Sequence, residues 1–279
     1  MEPEQKVIHS VVEKDVKEKE KGVSSLKEAL GLRERELISL VGAGGKTTLM
    51  FRLASELFLG GRKVITTTTT RIMEPAGEET PLLIVEADRE RVAGAVRGSL
   101  EKYRHITLAQ ERLGAGKLKG MTPDLIDNLW GSAEVEYLIV EADGAAGRPV
   151  KAPRVWEPVI PSRTTLVIAI LGIDGMGQVL QEENVFQAAR ISELTDLPLG
   201  EKITEDALAI LMTHPAGIFK GAPSSSRVVA FLNKVDVPDG IAWARGVSRR
   251  ILEKGHRQIE RVVLGQAKRE PCAVEVIFP

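Results

Sequence analysis

Leu37-Ile38-Ser39-Leu40-Val41-Gly42-Ala43-Gly44-Gly45-Lys46-Thr47-Thr48-Leu49 is the stretch on which the fold turns. Leu37, Ile38, Leu40 and Val41 form an apolar run long enough for a buried strand. Gly42, Gly44 and Gly45 follow as a loop that a side chain would obstruct. Beyond Lys46-Thr47-Thr48, residues 49–59 read as a helix with Leu49, Leu53 and Leu57 on one face. Strand, glycine loop, Lys-Thr and helix stand in the order of a phosphate-binding loop. Backbone N–H groups of such a loop point at phosphate oxygens, and the helix N-terminus adds partial positive charge. Lys46 supplies a mobile full charge, and the Thr47 hydroxyl is a ligand for magnesium. Gly42, Ala43, Gly44, Gly45, Lys46, Thr47 and Thr48 are therefore the expected nucleotide-phosphate site. The loop is the short form, because the longer pattern needs glycine at position 40 and Leu40 stands there.

An acidic strand end is the usual partner of such a loop. Tyr137-Leu138-Ile139-Val140 reads as a buried strand running into Glu141-Ala142-Asp143-Gly144. Carboxylates placed there hold magnesium and orient the attacking water, so Glu141 and Asp143 are candidate catalytic and metal residues. The two acids are expected to divide, one facing the nucleotide and the other a second substrate. The threonine run 66–70, ending a strand that opens near Lys63, has two readings. It is an extended segment of strand-favouring residues, or a source of hydroxyls for the metal or terminal phosphate, Thr68 among them.

Val228-Val229-Ala230-Phe231-Leu232-Asn233-Lys234-Val235-Asp236 is a third informative stretch. A strand ending in Asn-Lys-x-Asp is suited to guanine. The Asp236 carboxylate accepts from the ring N–H and exocyclic amine, the Lys234 stem packs over the base, and Asn233 braces the loop. The competing reading is an Asn-Lys turn. Between the acidic strand and this one lies a proline-braced loop with Arg148, Lys151 and Arg154, followed by Trp156-Glu157-Pro158. Lys151 and Glu157 are expected at the site, with Arg148 and Lys151 candidates for binding an acceptor. His214, in Thr213-His214-Pro215, is a weaker candidate for touching substrate against a surface or capping role.

The whole chain sets bounds on these readings. Its 279 residues are 43% hydrophobic and 28% charged, which fits one large α/β domain, or a domain with an appended lobe, better than two equal domains. A formal charge of −1 and a pI of about 6.5 give no bulk attraction to nucleic acid or anionic membrane. Cys272 is the single cysteine, so neither an internal disulfide nor a thiolate zinc site is expected, and it reads as a small buried residue. Residues 1–21 lack a continuous apolar segment, no run approaches a membrane span, and a cytoplasmic location is the default.

The expected fold is thus α/β, a P-loop nucleoside triphosphatase-like, mostly parallel sheet with helices on both faces. Residues 1–22 form a charged arm, frayed or disordered, and 23–279 the P-loop domain, with a small helical insertion around 178–221. Helices are expected at 88–100, 122–130, 184–194, 204–211 and 241–252. Residues 114–120 read as a flexible solvated loop.

These motifs together resemble the YqeC family, linked to selenium-dependent molybdenum hydroxylases as an accessory protein. The resemblance rests on 41–48, the threonine run, Val140-Glu141-Ala142-Asp143-Gly144, Lys151-Ala152-Pro153, Glu157-Pro158, His214-Pro215 through Lys220-Gly221, and Asn233-Lys234-Val235-Asp236. It spans roughly residues 25–240. It implies a phosphate-loop nucleotide-binding fold, a hydroxylase or its cofactor-maturation proteins as partners, and no proven reaction. A His-Arg pair is expected near position 186 in relatives, whereas Phe186-Gln187 stands here; Arg190 is the alternative cation.

Three functions fit. The first is a magnesium-dependent nucleoside triphosphatase or phosphotransferase acting on GTP, or on ATP, with Lys46, Glu141, Asp143 and Lys151 at the reaction. The second is an ATP-dependent ligase, since the short loop also resembles that of the Mur ligases. About forty residues after the tetrad are too few for the separate C-terminal domain such ligases carry. The third is a non-catalytic, nucleotide-gated cofactor carrier or chaperone.

Overall fold

β1 (Glu36–Gly42) is buried along all seven residues, as a strand with neighbours on both sides must be. A computed structural model describes residues 25–132 and 134–279. The arm expected at 1–22 lies outside the described residues. In chain order the elements are α1 (Leu26–Ala29), β1, α2 (Lys46–Leu59), β2 (Val64–Thr68), β3 (Arg71–Met73), β4 (Leu83–Val85), α3 (Arg89–Tyr103) and β5 (His105–Ala109). Then come β6 (Glu111–Leu113), β7 (Lys117–Lys119), α4 (Pro123–Ser132), β8 (Tyr137–Glu141), β9 (Leu166–Gly172), α5 (Ala188–Thr195) and α6 (Glu205–Thr213). The chain closes with β10 (Arg227–Asn233), α7 (Gly240–Lys254), β11 (Ile259–Gly265) and β12 (Ala273–Ile277).

The nine-stranded sheet runs β12-β11-β10-β9-β1-β8-β2-β5-β4. Every pairing is parallel except β11 with β12. Parallel neighbours require crossovers, and the crossover helices cover both faces. Alternation along the strands sorts the core accordingly. Ile38, Leu40, Leu166, Ile168 and Ile170 pack with α1 and with Leu49, Leu53 and Leu57 of α2. Val41, Val167, Ala169 and Leu171 point the other way, toward α5, α6 and α7, while Leu37, Ile65 and Leu138 meet α3 and α4 on that same side. The α/β fold with helices on both faces is as the sequence predicts.

Registers place the motifs at one edge. Leu40 is opposite Glu141, and Gly42 is opposite Ile170. The glycine loop, the acidic end of β8, the end of β9 and the Asn233 end of β10 therefore share the carboxyl edge of the sheet, where ligands bind in such folds.

Three boundaries differ from expectation. Residues 114–120, expected as a solvated loop, are the turn and second strand of a hairpin, β6 with β7, and β3 joins it as a third antiparallel strand. Ile72 and Leu118 are buried beneath it and hold it down. α5 begins at Ala188 rather than 184. Phe186 is occupied in backbone bonds with Val150 and Ala152, and the Glu182 carboxylate accepts from the Gln187 and Ala188 N–H groups, which starts the helix there. α2 begins at Lys46, with Gly45 as its N-cap and no side-chain cap. Its first N–H groups face the glycine loop.

Candidate functional site

Two loop glycines are dictated by close approach. Gly42 has φ +96°, and a Cβ there would sit 2.1 Å from the Ile170 carbonyl oxygen. Gly45 has φ +125°, and its Cβ would sit 2.4 Å from Asn233 Nδ2. The loop is thus wedged between β9 and β10, and only residues without Cβ fit both the torsion and the space.

Asn233 fastens the wedge. Its Nδ2 donates to the Gly44 carbonyl at 2.7 Å, and its Oδ1 accepts from Ala267 N–H at 2.9 Å. Asn233 therefore braces the phosphate loop and the loop after β11 at once. Lys234 adopts φ +66° and its ammonium pairs with Asp174 at 2.7 Å. Asp236 pairs with Arg269 at 3.1 Å.

The acids and lysines form a buried chain of alternating charge. Lys46 Nζ donates to the Gly42 carbonyl at 2.6 Å and lies 3.2 Å from Asp143 and 3.9 Å from Glu141. Thr47 Oγ1 donates to Glu141 at 2.7 Å. The other Asp143 oxygen accepts from Gly42 N–H at 3.1 Å and pairs with Lys151 at 2.9 Å. Lys151 donates in turn to Gly144 O at 2.6 Å and to Glu157 at 2.9 Å. The expected division of Glu141 and Asp143 to opposite sides is corrected here. β8 ends at Glu141, and the chain beyond it carries Asp143 back so that both acids converge on Lys46.

The two carboxylates differ in access. Asp143 has no exposed surface, and Lys46, Lys151 and Gly42 surround it. Glu141 is the one acid that lines the open cavity above the loop. Burial raises its pKa above the ordinary carboxylate value, a loss of hydration that outweighs the Lys46 charge and the Thr47 hydrogen bond. Lys151 is 1% exposed, and its three N–H donors are committed to Gly144, Asp143 and Glu157. It and Glu157 fix the loop below the site, and neither lines the cavity.

The remaining sequence candidates sort by position. Thr68 Oγ1 donates to the Glu141 carbonyl at 2.8 Å, so it steadies the strand end that presents the carboxylate and does not line the cavity. Thr67 and Thr69 donate to the Leu108 and Val159 carbonyls. The run is strand through Thr68 and bends at Thr69 and Thr70, with its hydroxyls latched to neighbouring carbonyls. Arg148 reaches the cavity, and its carbonyl accepts from Gly44 N–H at 3.1 Å. His214 caps α6, its Nδ1 accepting from Ala216 N–H at 3.0 Å, away from the cavity. Phe186, standing where a His-Arg pair was expected, lies under the charges of Lys151 (5.3 Å) and Arg154 (4.8 Å). Arg190 pairs with Glu193 at 2.6 Å.

The cavity has a volume of about 480 Å³. Lys46, Arg71, Lys117, Arg148, Lys234 and Lys268 line it with Glu141. Six cations against one carboxylate give the lining an excess of positive charge, of which Asp143 and Asp174 offset the Lys46 and Lys234 shares, and such a lining favours anions. Sequence reading missed Arg71, Lys117 and Lys268 as site residues. Strand and loop periodicity gives no signal for them, because the hairpin and the β11 loop arrive only by folding.

Among the described residues, no group of three or more His, Cys, Asp or Glu is placed to hold a metal. The donor set that fits one is the Thr47 hydroxyl with the Glu141 carboxylate beside a phosphate cradle. This suits magnesium, which keeps waters and takes few protein ligands. No helix among the described residues is long and apolar enough to cross a membrane.

A family profile described as YqeC protein matches residues 38–189. The Escherichia coli (strain K12) protein named "Uncharacterized protein YqeC" is 32% identical over 244 residues, covering 87% of this chain and 92% of that relative. Among solved structures, FtsY from Mycoplasma mycoides aligns with 90% of this chain at 10% identity and a TM-score of 0.33, and this chain spans 66% of its length. FlhF complexed with GTP and magnesium aligns with 91% of this chain and 73% of its own at 11% identity and a TM-score of 0.38. By the profile match and the extent of the bacterial relative, the chain belongs to the YqeC family.

Proposed function

We propose that this chain is a magnesium-dependent nucleotide-binding protein that takes a nucleoside triphosphate, GTP ahead of ATP, and hydrolyses it or transfers its terminal phosphoryl group. The observation that carries the reading is the Lys46–Glu141–Thr47 arrangement at the open N-terminus of α2, directly behind a glycine loop. Loop and helix N–H groups receive phosphate oxygens. Lys46 exchanges part of its bonding to Gly42 and Asp143 for phosphate. Thr47 and Glu141 are the residues to hold magnesium, which when bound neutralises charge developing on the phosphates. Asp143 stays enclosed and keeps Lys46 aimed. Glu141, the one carboxylate facing the cavity, positions the attacking water or acceptor hydroxyl.

Asn233 and Lys234 place the base beside β10. Reading of guanine by Asp236 requires the carboxylate to turn from Arg269. A role in maturation of selenium-dependent molybdenum hydroxylases, in the cytoplasm, rests on family resemblance and is part of the proposal.

The test is binding of GTP against ATP with magnesium for wild type, Lys46→Ala and Asp236→Ala. Lys46→Ala is expected to lose both nucleotides, and Asp236→Ala to lose the preference for GTP. Equal ATP binding that Asp236→Ala leaves unchanged would overturn the guanine assignment. Unimpaired binding by Lys46→Ala would overturn the site.

A further inference from the structure

The cavity extends to both sides of the phosphate loop. β10 lies two strands from β1 on one side, and β2 lies two strands from it on the other. Lys234 after β10 and Arg71 after β2 therefore line the cavity on opposite sides of the loop. A nucleoside that runs from the loop toward Asn233 and Lys234 leaves the β2 half free, with Glu141 between the halves.

The wall of that half is the small antiparallel sheet. Its buried residues are Ile72 and Leu118, so the period of two turns Arg71, Met73 and Lys117 outward together. The other cations of the hairpin have acids: Arg112 pairs with Glu74 at 2.9 Å and Lys119 with Glu111 at 3.8 Å. Among the described residues, no acid pairs with Arg71 or Lys117, and both line the cavity. Two like charges left unneutralised on one small sheet repel each other, and an anion relieves that repulsion. Met73, 57% exposed beside them, adds an apolar and adaptable contact.

We propose that Arg71 and Lys117 form a second anion site, which seats a phosphorylated small-molecule co-substrate next to the terminal phosphate of the nucleotide. The proposal rests on the reading of residues 42–48 as the nucleotide site. Arg71 offers a planar fork to the oxyanion and Lys117 a point charge. Both are solvent-exposed, so the affinity falls with ionic strength.

Calorimetric titration of the full chain with inorganic pyrophosphate tests this. The protein is first saturated with magnesium and a non-hydrolysable GTP analogue. One further equivalent of pyrophosphate is expected to bind. The Arg71→Ala/Lys117→Ala double variant is expected to weaken it tenfold or more, with an unchanged melting temperature and a much smaller change in analogue affinity. Absence of the further equivalent, or equal affinity in the double variant, would overturn the proposal. Failure of wild type to bind the analogue would instead count against the nucleotide reading. In that event, pyrophosphate titrated into Lys46→Ala protein decides the second site alone. Binding that disappears with Arg71→Ala/Lys117→Ala supports it, and no binding, or binding indifferent to those changes, refutes it.

Discussion

Asn233 and Gly44 are joined by a 2.7 Å hydrogen bond that spans from the end of β10 to the phosphate loop after β1, across the intervening β9. The same side chain accepts from Ala267 N–H, so one amide couples three loops at the carboxyl edge. The phosphate cradle is held from outside its own strand and helix.

Asn233→Ala leaves the Gly44 carbonyl and the Ala267 N–H without this partner in a buried setting. The expected cost is about 1–3 kcal/mol for each group left unpaired. Nucleotide affinity should fall with it, because the loop loses its brace. Urea unfolding together with nucleotide titration checks this; unchanged stability would show that the brace is dispensable.

Lys151→Met removes the cation between Asp143 and Glu157. Asp143 then keeps Lys46 as its one cation while the buried Glu157 loses its own, at an expected cost of about 3–5 kcal/mol. Paired replacement with Glu157→Gln should recover part of the loss. A normal unfolding curve with abolished nucleotide binding would instead assign Lys151 to the ligand.

Glu141 carries a raised pKa, and magnesium requires its carboxylate form. Affinity for magnesium-nucleotide should therefore weaken on acidification, beginning at a higher pH than an ordinary carboxylate would give. Glu141→Gln should weaken the metal-dependent part of binding and flatten its pH dependence. Isothermal titration across pH, with and without magnesium, reads both effects.

His105, buried in β5 with its Nε2 3.2 Å from Thr66 Oγ1, has its pKa lowered to about 4 by desolvation. The unfolded chain, with an ordinary histidine near 6.5, binds the extra proton first. Stability supplied by the neutral imidazole is complete above that value and is lost as pH falls toward 4, by up to about 3 kcal/mol. His105→Gln should reduce the slope of unfolding free energy between pH 6.5 and 4. Identical slopes in the two proteins would place the acid sensitivity elsewhere.

The apolar run at 37–41, the glycines and the Lys-Thr pair determined by themselves a strand, a loop and a helix in fixed order. Local geometry imposes that order wherever the chain folds. The strand period predicts a shared face for Glu141 and Asp143 if the strand persists to 143; β8 ends at Glu141, and it is folding that brings both acids to Lys46, against the expectation that they divide. Asn233 as a brace was legible because a strand ending in Asn-Lys carries its role in residue type and position.

Tertiary structure alone decided which charges remain open to a ligand. Lys151 and Glu157 sit in the proline-braced loop expected at the site, yet its packing encloses them and commits the Lys151 ammonium to Asp143, Glu157 and Gly144 instead of the cavity. Arg71, Lys117 and Lys268 carry no local signal, but sheet order and the 111–119 hairpin bring them to the phosphate loop from positions far away in the chain. Periodicity records which way a residue faces on its own element. It does not record which element lies opposite, and the burial or exposure of a charge depends on that neighbour.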